Sequence, residues 1–194
     1  GSWRLVYSNG REITNLAGGL PLGFKLGPVY QPVDLARGAF ENQGAIAHAY
    51  GLARGATRVV GDVARARDGT LNAVGVPNDR GNRVDVNFRR ITFSLDELFG
   101  RPVALQKVLV PSQDASAAQP ANDVTYLDRA TRLTRGGDGA LFVFRREESA
   151  TPLLSPAERD ALCREAGAGV KTGTGRAEDA APEELRLLLK DNLK

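Results

Sequence analysis

The 194-residue chain has few of the side chains that carry catalysis or bind metal ions. It contains a single cysteine, Cys163, a single histidine, His48, and no methionine. One cysteine excludes an internal disulfide, and one cysteine with one histidine does not supply the ligand set of a zinc site. No run of about 18 apolar residues occurs, so we expect no membrane-spanning helix.

These scarce chemical groups also lack partners. His48 lies in an alternating segment, which is typical of a histidine on a polar strand face and not of a general base. Cys163 falls in a predicted helix as a small, semi-buried side chain. The glycine-rich stretches near Gly69 and Gly173 lack the lysine and the strand–loop–helix context of a phosphate loop. We therefore predict that the protein is not an enzyme and has no catalytic residue, metal site or cofactor.

The charge is modest and unevenly distributed. The 26 basic and 23 acidic side chains give a formal net charge of +3. Residues 1–147 are net positive and residues 148–194 are net negative. The arginines are scattered, without zinc spacing or a Gly-aromatic signature, so we expect no nucleic-acid partner. A mildly basic body suits anionic lipid headgroups or an acidic protein face, and it also suits an ordinary solvated surface.

Short apolar–polar alternations separated by turn residues predict a mainly antiparallel all-β fold. The first alternation places Trp3, Leu5 and Tyr7 on one face. Further strands are predicted at 29–34, 39–50, 57–67, 70–76, 83–93, 103–110, 122–135 and 140–146. Such a series is typical of a β-sandwich or a β-barrel, and periodicity does not separate the two.

Three local signals refine this pattern. Pro32 predicts that its strand lies at an edge or a bulge, because proline cannot donate to the ladder. A change of phase at Arg89-Arg90 predicts a bulge inside the 83–93 strand. Residues 94–100 predict a helical turn with a serine cap and a glycine stop.

The connecting segments differ in character. Residues 11–26 are apolar and predict either a lid packed over one end of the sheet or a flap that touches membrane or ligand. Residues 111–121 predict a mobile polar loop. The glycines of 136–139 predict a hairpin turn.

The pattern changes after residue 147. A capping box at 155–158, with proline at the first helical position, predicts a helix. A Gly/Thr/Ala-rich linker and a short amphipathic helix at 182–194 follow. We therefore predict a β-domain at 1–147 and a helical tail at 148–194.

Two stretches carry a family pattern. The first comprises Gly1-Ser2-Trp3-Arg4-Leu5-Val6-Tyr7-Ser8 and Gly27-Pro28-Val29-Tyr30-Gln31-Pro32-Val33-Asp34. The second runs from Thr125-Tyr126-Leu127-Asp128-Arg129 to Leu141-Phe142-Val143-Phe144. Over residues 1–147 the chain resembles the plastid lipid-associated protein (fibrillin) family, which opens on a Gly-x-Trp strand and closes on a Tyr-Leu-Asp hairpin.

The resemblance implies a lipocalin-like β-barrel with short helices, followed here by the helical tail. It implies a chloroplast protein at the stroma-facing thylakoid surface or the plastoglobule, which holds a prenyl or acyl lipid or coats a lipid surface. The ligand would be an isoprenoid, quinone, carotenoid or acyl lipid. The alternative is a protein-binding subunit or assembly factor of a thylakoid membrane complex, with a filled barrel and no ligand.

A barrel of this kind directs alternate side chains inward. We expect a ligand to contact Trp3, Tyr7, Tyr30, Phe88, Tyr126, Asp128, Arg132 and Phe142. The family resemblance also implies that Trp3 closes one end of the barrel by packing on an arginine, either Arg132 or Arg135.

Asp128 has two interpretations. If 122–135 is one strand, Tyr126, Asp128 and Arg132 share the inward face. An inward carboxylate then needs a partner, because an unpaired buried charge is costly. It is either part of a structural ion pair, with an arginine such as Arg4 or Arg145, or a polar anchor for a lipid headgroup.

Overall fold

The computed structural model describes residues 1–11, 13–14, 20, 23–111, 120–147 and 152–164. The chain is mostly antiparallel β-sheet, as predicted. The strands are β1 (Ser2–Ser8), β2 (Phe24–Asp34), β3 (Ala39–His48), β4 (Ala53–Arg65), β5 (Arg83–Leu98), β6 (Arg101–Leu109), β7 (Ala121–Leu127), β8 (Thr131–Gly136) and β9 (Leu141–Arg146). A helix, α1, spans Pro156–Arg164.

The sheet closes on itself. Its nine strands run in the order β4-β3-β2-β1-β9-β8-β7-β5-β6, and β4 also pairs with β5. That pairing joins the two sides of the sheet into a ring of all strands except β6, which extends the sheet beside β5. The fold is therefore a lipocalin-like barrel and not a sandwich, as the family resemblance implied.

The long strand β5 makes closure possible. It pairs with β4 along its whole length, with β7 at Arg83–Asp85 and with β6 at Ile91–Leu98. Val60 lies opposite Arg90 and Gly61 lies opposite Phe88, so Arg89 is the extra residue of a bulge. The predicted bulge is confirmed, and such bulges bend a strand as a closing sheet requires.

Four predicted elements are corrected. Residues 94–98 continue β5 and do not form a helical turn, because pairing to β4 and β6 satisfies their backbone on both edges. Residues 70–76 form turns with a single bridge, Leu71 to Pro77, and the Asn72 side chain accepts the N–H groups of Val74 and Val76. The predicted strand 122–135 is two strands, β7 and β8.

The fourth correction concerns Pro32. The strand β2 lies between β1 and β3, and its bulge falls between Leu26 and Val29. Pro32 is therefore neither at an edge nor at a bulge. The neighbouring residue Val33 exchanges both backbone hydrogen bonds with Gly1, at 2.6 and 2.8 Å, so the ladder tolerates one missing N–H group.

The barrel interior contains a buried apolar cluster. Phe40, Val63 and Val86 form the buried cluster, and Val33, Val84 and Phe88 pack against it. These residues come from β2, β3, β4 and β5, and all except Phe88 line one cavity together with side chains of β1, β7 and β8, so their shared face is the concave one. Gly61 lies opposite Phe40 on this face, and a Cβ atom at Gly61 would stand 2.1 Å from Phe40 Cε1.

The helix α1 lies against the outer face of β3, β4 and β5. Its predicted capping box is confirmed: Glu158 N–H donates to Ser155 Oγ at 3.3 Å, and Ser155 N–H donates to Glu158 at 2.8 Å. The buried Glu41 carboxylate accepts the Leu154 N–H group at 2.8 Å. Arg159 pairs with Asp62, and Arg90 donates to the carbonyl of Cys163 in the last turn.

Other predicted segments lie outside the described residues. They include most of the apolar segment 11–26, the greater part of the loop 111–121, the linker and the second helix of the tail. The division at residue 147 remains a prediction.

We predict that Gly61→Ala destabilises the barrel by about 2 kcal/mol, because the new methyl group overpacks against Phe40. The control is Gly137→Ala, where the nearest atom to a new Cβ is 3.6 Å away and the change is expected within about 0.5 kcal/mol. Urea unfolding of both variants measures the difference. Equal stability of the two variants would contradict this packing.

Candidate functional site

A stack of aromatic and cationic side chains lies inside the barrel. Arg132 on β8 faces Phe144 on β9, and its guanidinium carbon is 4.2 Å from the Phe144 ring centroid. The same carbon is 5.1 Å from the ring of Trp3, which is buried. Trp3 also contacts the guanidinium of Arg146, at 4.7 Å. Trp3 thus packs on Arg132, one of the two arginines expected.

The charge of Arg132 is unusual because it is buried without an acid. The side chain is 8% exposed, and none of the ion pairs among the described residues includes it. Burial lowers the pKa of Arg132 to about 10. The two ring faces and one hydrogen bond stabilise the cation in place of a carboxylate.

A short polar network orients the guanidinium. Its Nη2 group donates to Gln31 Oε1, and Gln31 Nε2 donates to Asn42 Oδ1 at 2.8 Å. The Nε group of Arg132 is buried and has no hydrogen-bond partner among the described residues. An arginine has no acceptor and five N–H donors, so the site has spare donor capacity.

Arg132 lines a cavity of about 700 Å³. Apolar side chains from across the barrel form much of its wall, namely Trp3, Val33, Phe40, Val63, Val84, Val86 and Val124. Polar groups come from Gln31, Asp34, Asn122 and Thr134, and Pro152 and Leu153 before α1 also contribute. The arrangement combines an apolar body with one cationic donor, as sites for amphipathic molecules do.

Four of the predicted site residues lie in the interior. Trp3 and Arg132 line the cavity directly. Phe88 packs edge-on against Phe40, with ring centroids 5.9 Å apart. Phe142 stacks on Phe144 at 6.4 Å, next to the Arg132 stack.

Tyr7 and Tyr30 lie elsewhere. A register shift between Leu5 and Tyr7 breaks the predicted alternation of β1, and Tyr7 is exposed. Tyr30 lies opposite Gln43 in the β2–β3 pair, on the outer face. Gln43 donates a hydrogen bond to Glu41, and Glu41 also accepts the N–H group of Leu154 in the segment before α1. Tyr30 is therefore on the side of the sheet that α1 covers. It lines a second cavity of about 660 Å³, between that face and α1.

Asp128 lies in a turn, so the prediction that it points into the barrel is wrong. One carboxylate oxygen accepts the N–H groups of Ala130 and Thr131, at 2.7 and 2.6 Å. The other accepts the Tyr126 hydroxyl at 2.8 Å. Tyr126 and Asp128 are both exposed and are not among the residues that line the Arg132 cavity. Asp128 therefore closes the β7–β8 turn and forms no ion pair with Arg4 or Arg145.

Sequence reasoning did not identify Gln31 and Asn42 as site residues. Both are polar residues in strands, and an amide on an inward face leaves no periodicity signal of its own. The register supplies the missing information, because Gln31 lies opposite Trp3 on β1. Strand pairing was needed to place it beside Arg132.

Two properties of the described residues bear on function. No group of three or more His, Cys, Asp or Glu side chains is placed to hold a metal ion in this part of the chain. Across the same residues, no helix combines the length and apolar character needed to cross a membrane.

Comparison with known proteins gives one match. The PAP_fibrillin family model matches residues 1–145, which include all nine strands except the last residue of β9. Neither the curated proteins nor the solved structures contain a match to the chain.

We predict a pH-dependent stabilisation by Asp128. Hydrogen bonds from Tyr126, Ala130 and Thr131 lower the pKa of its carboxyl below the ordinary 3.8. A lowered folded-state pKa stabilises the fold above the ordinary value, and this contribution disappears as the pH falls through the folded-state value. Asp128→Asn keeps an acceptor but removes the charge, so the stability gap to the parent should shrink in acid.

Thermal unfolding of both proteins between neutral pH and about pH 2 measures this gap. The control is Asp138→Asn in the β8–β9 turn, where the carboxylate accepts a backbone N–H from Ala140 at 3.0 Å. A gap for Asp128→Asn that does not change with pH would contradict the role of the charge.

Proposed function

Because the chain belongs to the PAP/fibrillin family of plastid lipid-associated proteins, we propose that its barrel holds one amphipathic lipid beside Arg132. The observation that carries the proposal is the buried guanidinium, which forms no ion pair within the described ranges, in the wall of a cavity of about 700 Å³. A cavity of this size lies within the range of about 300–1,000 Å³ that small-molecule sites occupy. The lipid's apolar chain would contact the valine-rich wall.

The free donor of Arg132 defines the polar end of the ligand. A carboxylate, phosphate or quinone oxygen would accept a hydrogen bond from Nε. An anionic oxygen would also compensate the buried charge, and charge-assisted hydrogen bonds to arginine are the stronger ones. We therefore favour an acyl or isoprenoid lipid with an oxygen-bearing head over a hydrocarbon carotenoid.

The same cavity favours binding over catalysis. Among its described lining residues, the charged side chains are Asp34 and Arg132, and none is a histidine or cysteine. Arg132 has no base or nucleophile beside it in the stack. We propose a non-enzymatic, structural role at a thylakoid or plastoglobule surface.

The rival proposal is a subunit of a thylakoid complex with a filled barrel. In that case Trp3 and Arg132 serve only to close the barrel, and no lipid occupies the space beside Arg132. The two proposals differ in what the purified protein carries.

We predict that native mass spectrometry and solvent extraction recover about one lipid per barrel. Arg132→Met should lower lipid occupancy by about tenfold or more, since hydrogen bonds to a charged group contribute about 1.5–3 kcal/mol. Methionine fills a similar space between Trp3 and Phe144, and removal of an unpaired buried charge is not expected to unfold the barrel.

The matched control is Arg145→Met, which changes an exposed arginine on the same hairpin. It should leave lipid occupancy unchanged. Near-ultraviolet circular dichroism checks that both variants retain the fold. A parent protein that carries no lipid and takes none up from detergent would reject the proposal, as would full occupancy in Arg132→Met.

A further inference from the structure

The turn between β5 and β6 carries an unusual residue. Phe99 and Gly100 both have left-handed backbone angles, with φ of 50° and 73°. Among the described residues, every other position with positive φ is a glycine. A two-residue hairpin turn of this type normally takes asparagine, aspartate or glycine first, because a large side chain is strained there.

The fold gains nothing evident from the phenyl ring at this position. Its left-handed backbone costs roughly 1–2 kcal/mol, and the side chain is 69% exposed, so burial does not offset the strain. A bulky aromatic residue held under strain at an exposed position indicates a role outside the fold itself.

Phe99 is joined to a second apolar turn. Its N–H group donates to the carbonyl of Leu52 at 2.7 Å, which holds the β3–β4 and β5–β6 turns together. Leu52 is 42% exposed and Tyr50 is 85% exposed. We refer to Tyr50, Leu52 and Phe99 as the Phe99 face. Beside it, the rings of His48 and Tyr50 lie 5.7 Å apart.

Cations lie in the strand positions next to this face. Lys25 and Arg54 both lie opposite Ala47 on neighbouring strands, and Arg101 lies opposite Leu98. All three cations are exposed. Arg54 also approaches the half-buried Glu97 at 3.8 Å, a weak pair, and Asp96 is exposed beside it. Three cations therefore stand against two carboxylates at this end of the strands.

We propose that the Phe99 face docks the barrel on an anionic lipid surface, with Phe99 and Tyr50 inserted at the headgroup level. Amphipathic and aromatic rings favour this interfacial level, and lysine and arginine near it attract anionic lipids. The inference rests on the proposed lipid role, but it assigns a different site.

The geometry favours a lipid surface over a protein partner. Two adjacent turns present three side chains at the end of the barrel, whereas a stable protein interface covers about 800 Å² per partner. Exposed aromatic side chains on two joined turns suit shallow insertion at the headgroup level.

The Phe99 face and the Arg132 cavity lie toward opposite ends of the barrel. On β2, Phe24 pairs with His48 near the Phe99 face, and Pro32 pairs with Ser2 beside Trp3. These positions are separated by eight residues of strand, or about 26 Å. Docking and lipid occupancy can therefore be measured independently.

The test is flotation of the full chain with vesicles of phosphatidylcholine and with equimolar phosphatidylcholine and phosphatidylglycerol. The parent should bind the anionic vesicles more strongly. Phe99→Asn should lower that partition by about tenfold, the loss expected for one interfacial aromatic side chain. The same variant should raise the melting temperature, because asparagine tolerates the left-handed turn.

The matched control is Leu71→Asn, which changes an equally exposed apolar residue, 67% exposed, in the β4–β5 loop. It should leave partition unchanged. Unaltered partition in Phe99→Asn, or an equal loss in Leu71→Asn, would overturn the proposal. So would a parent that floats with neither vesicle, in which case a protein partner for this face should be sought.

The two lipid roles can fail separately. Loss of flotation in Phe99→Asn with normal bound lipid supports docking and leaves the cavity intact. A parent that floats but contains no lipid supports docking and rejects lipid binding in the cavity.

Discussion

The pairing between β4 and β5 is the interaction on which the architecture depends. It joins the two sides of the sheet and covers the edge that β4 would otherwise expose, whereas β6 pairs with β5 alone in the described part of the chain. The extra residue Arg89 bends β5, and this one strand pairs with β4, β6 and β7. Gly61 beside this bulge leaves the space that the Phe40 ring occupies, so closure and core packing depend on the same few positions.

Closure of the barrel also buries Arg132, the cationic residue of the candidate site. A guanidinium on the concave face loses water, and burial alone disfavours its charged form. Two aromatic faces and the Gln31 amide compensate part of that cost without supplying a negative charge. Because the Arg132 Nε group has no acceptor among the described residues, it can still donate to a ligand. An ion pair with an internal carboxylate would have occupied that donor.

Much of the fold could be predicted from the sequence, because alternation and turn residues mark most strands. The phase change at Arg89-Arg90 even located the bulge. The turn at Asp128 was missed because alternation continues in phase across it, without glycine or proline as a signal. At 94–98 the capping signals were real, but pairing on both edges outweighed them.

The candidate site was less predictable for a related reason. Trp3 and Arg132 could be named from the family pattern, but their partners depend on register across several strands. Gln31 on β2 reaches Arg132 on β8 across the two strands that separate them in the ring, β1 and β9, a relation that no local window contains. The predicted inward position of Tyr7 is wrong for a local reason, because a bulge in β1 turns its side chain outward.

Each end of the barrel contains a feature that costs folding free energy, and the two features differ in kind. At the Trp3 end, an arginine that forms no ion pair among the described residues is buried in the interior, and at the other end a phenyl ring stands under backbone strain at the surface. Burial disfavours the charge of the first, and the left-handed backbone disfavours the second. Each presents a group that a lipid could satisfy, a hydrogen-bond donor in one case and an apolar ring in the other, so both features favour lipid association over a purely structural role.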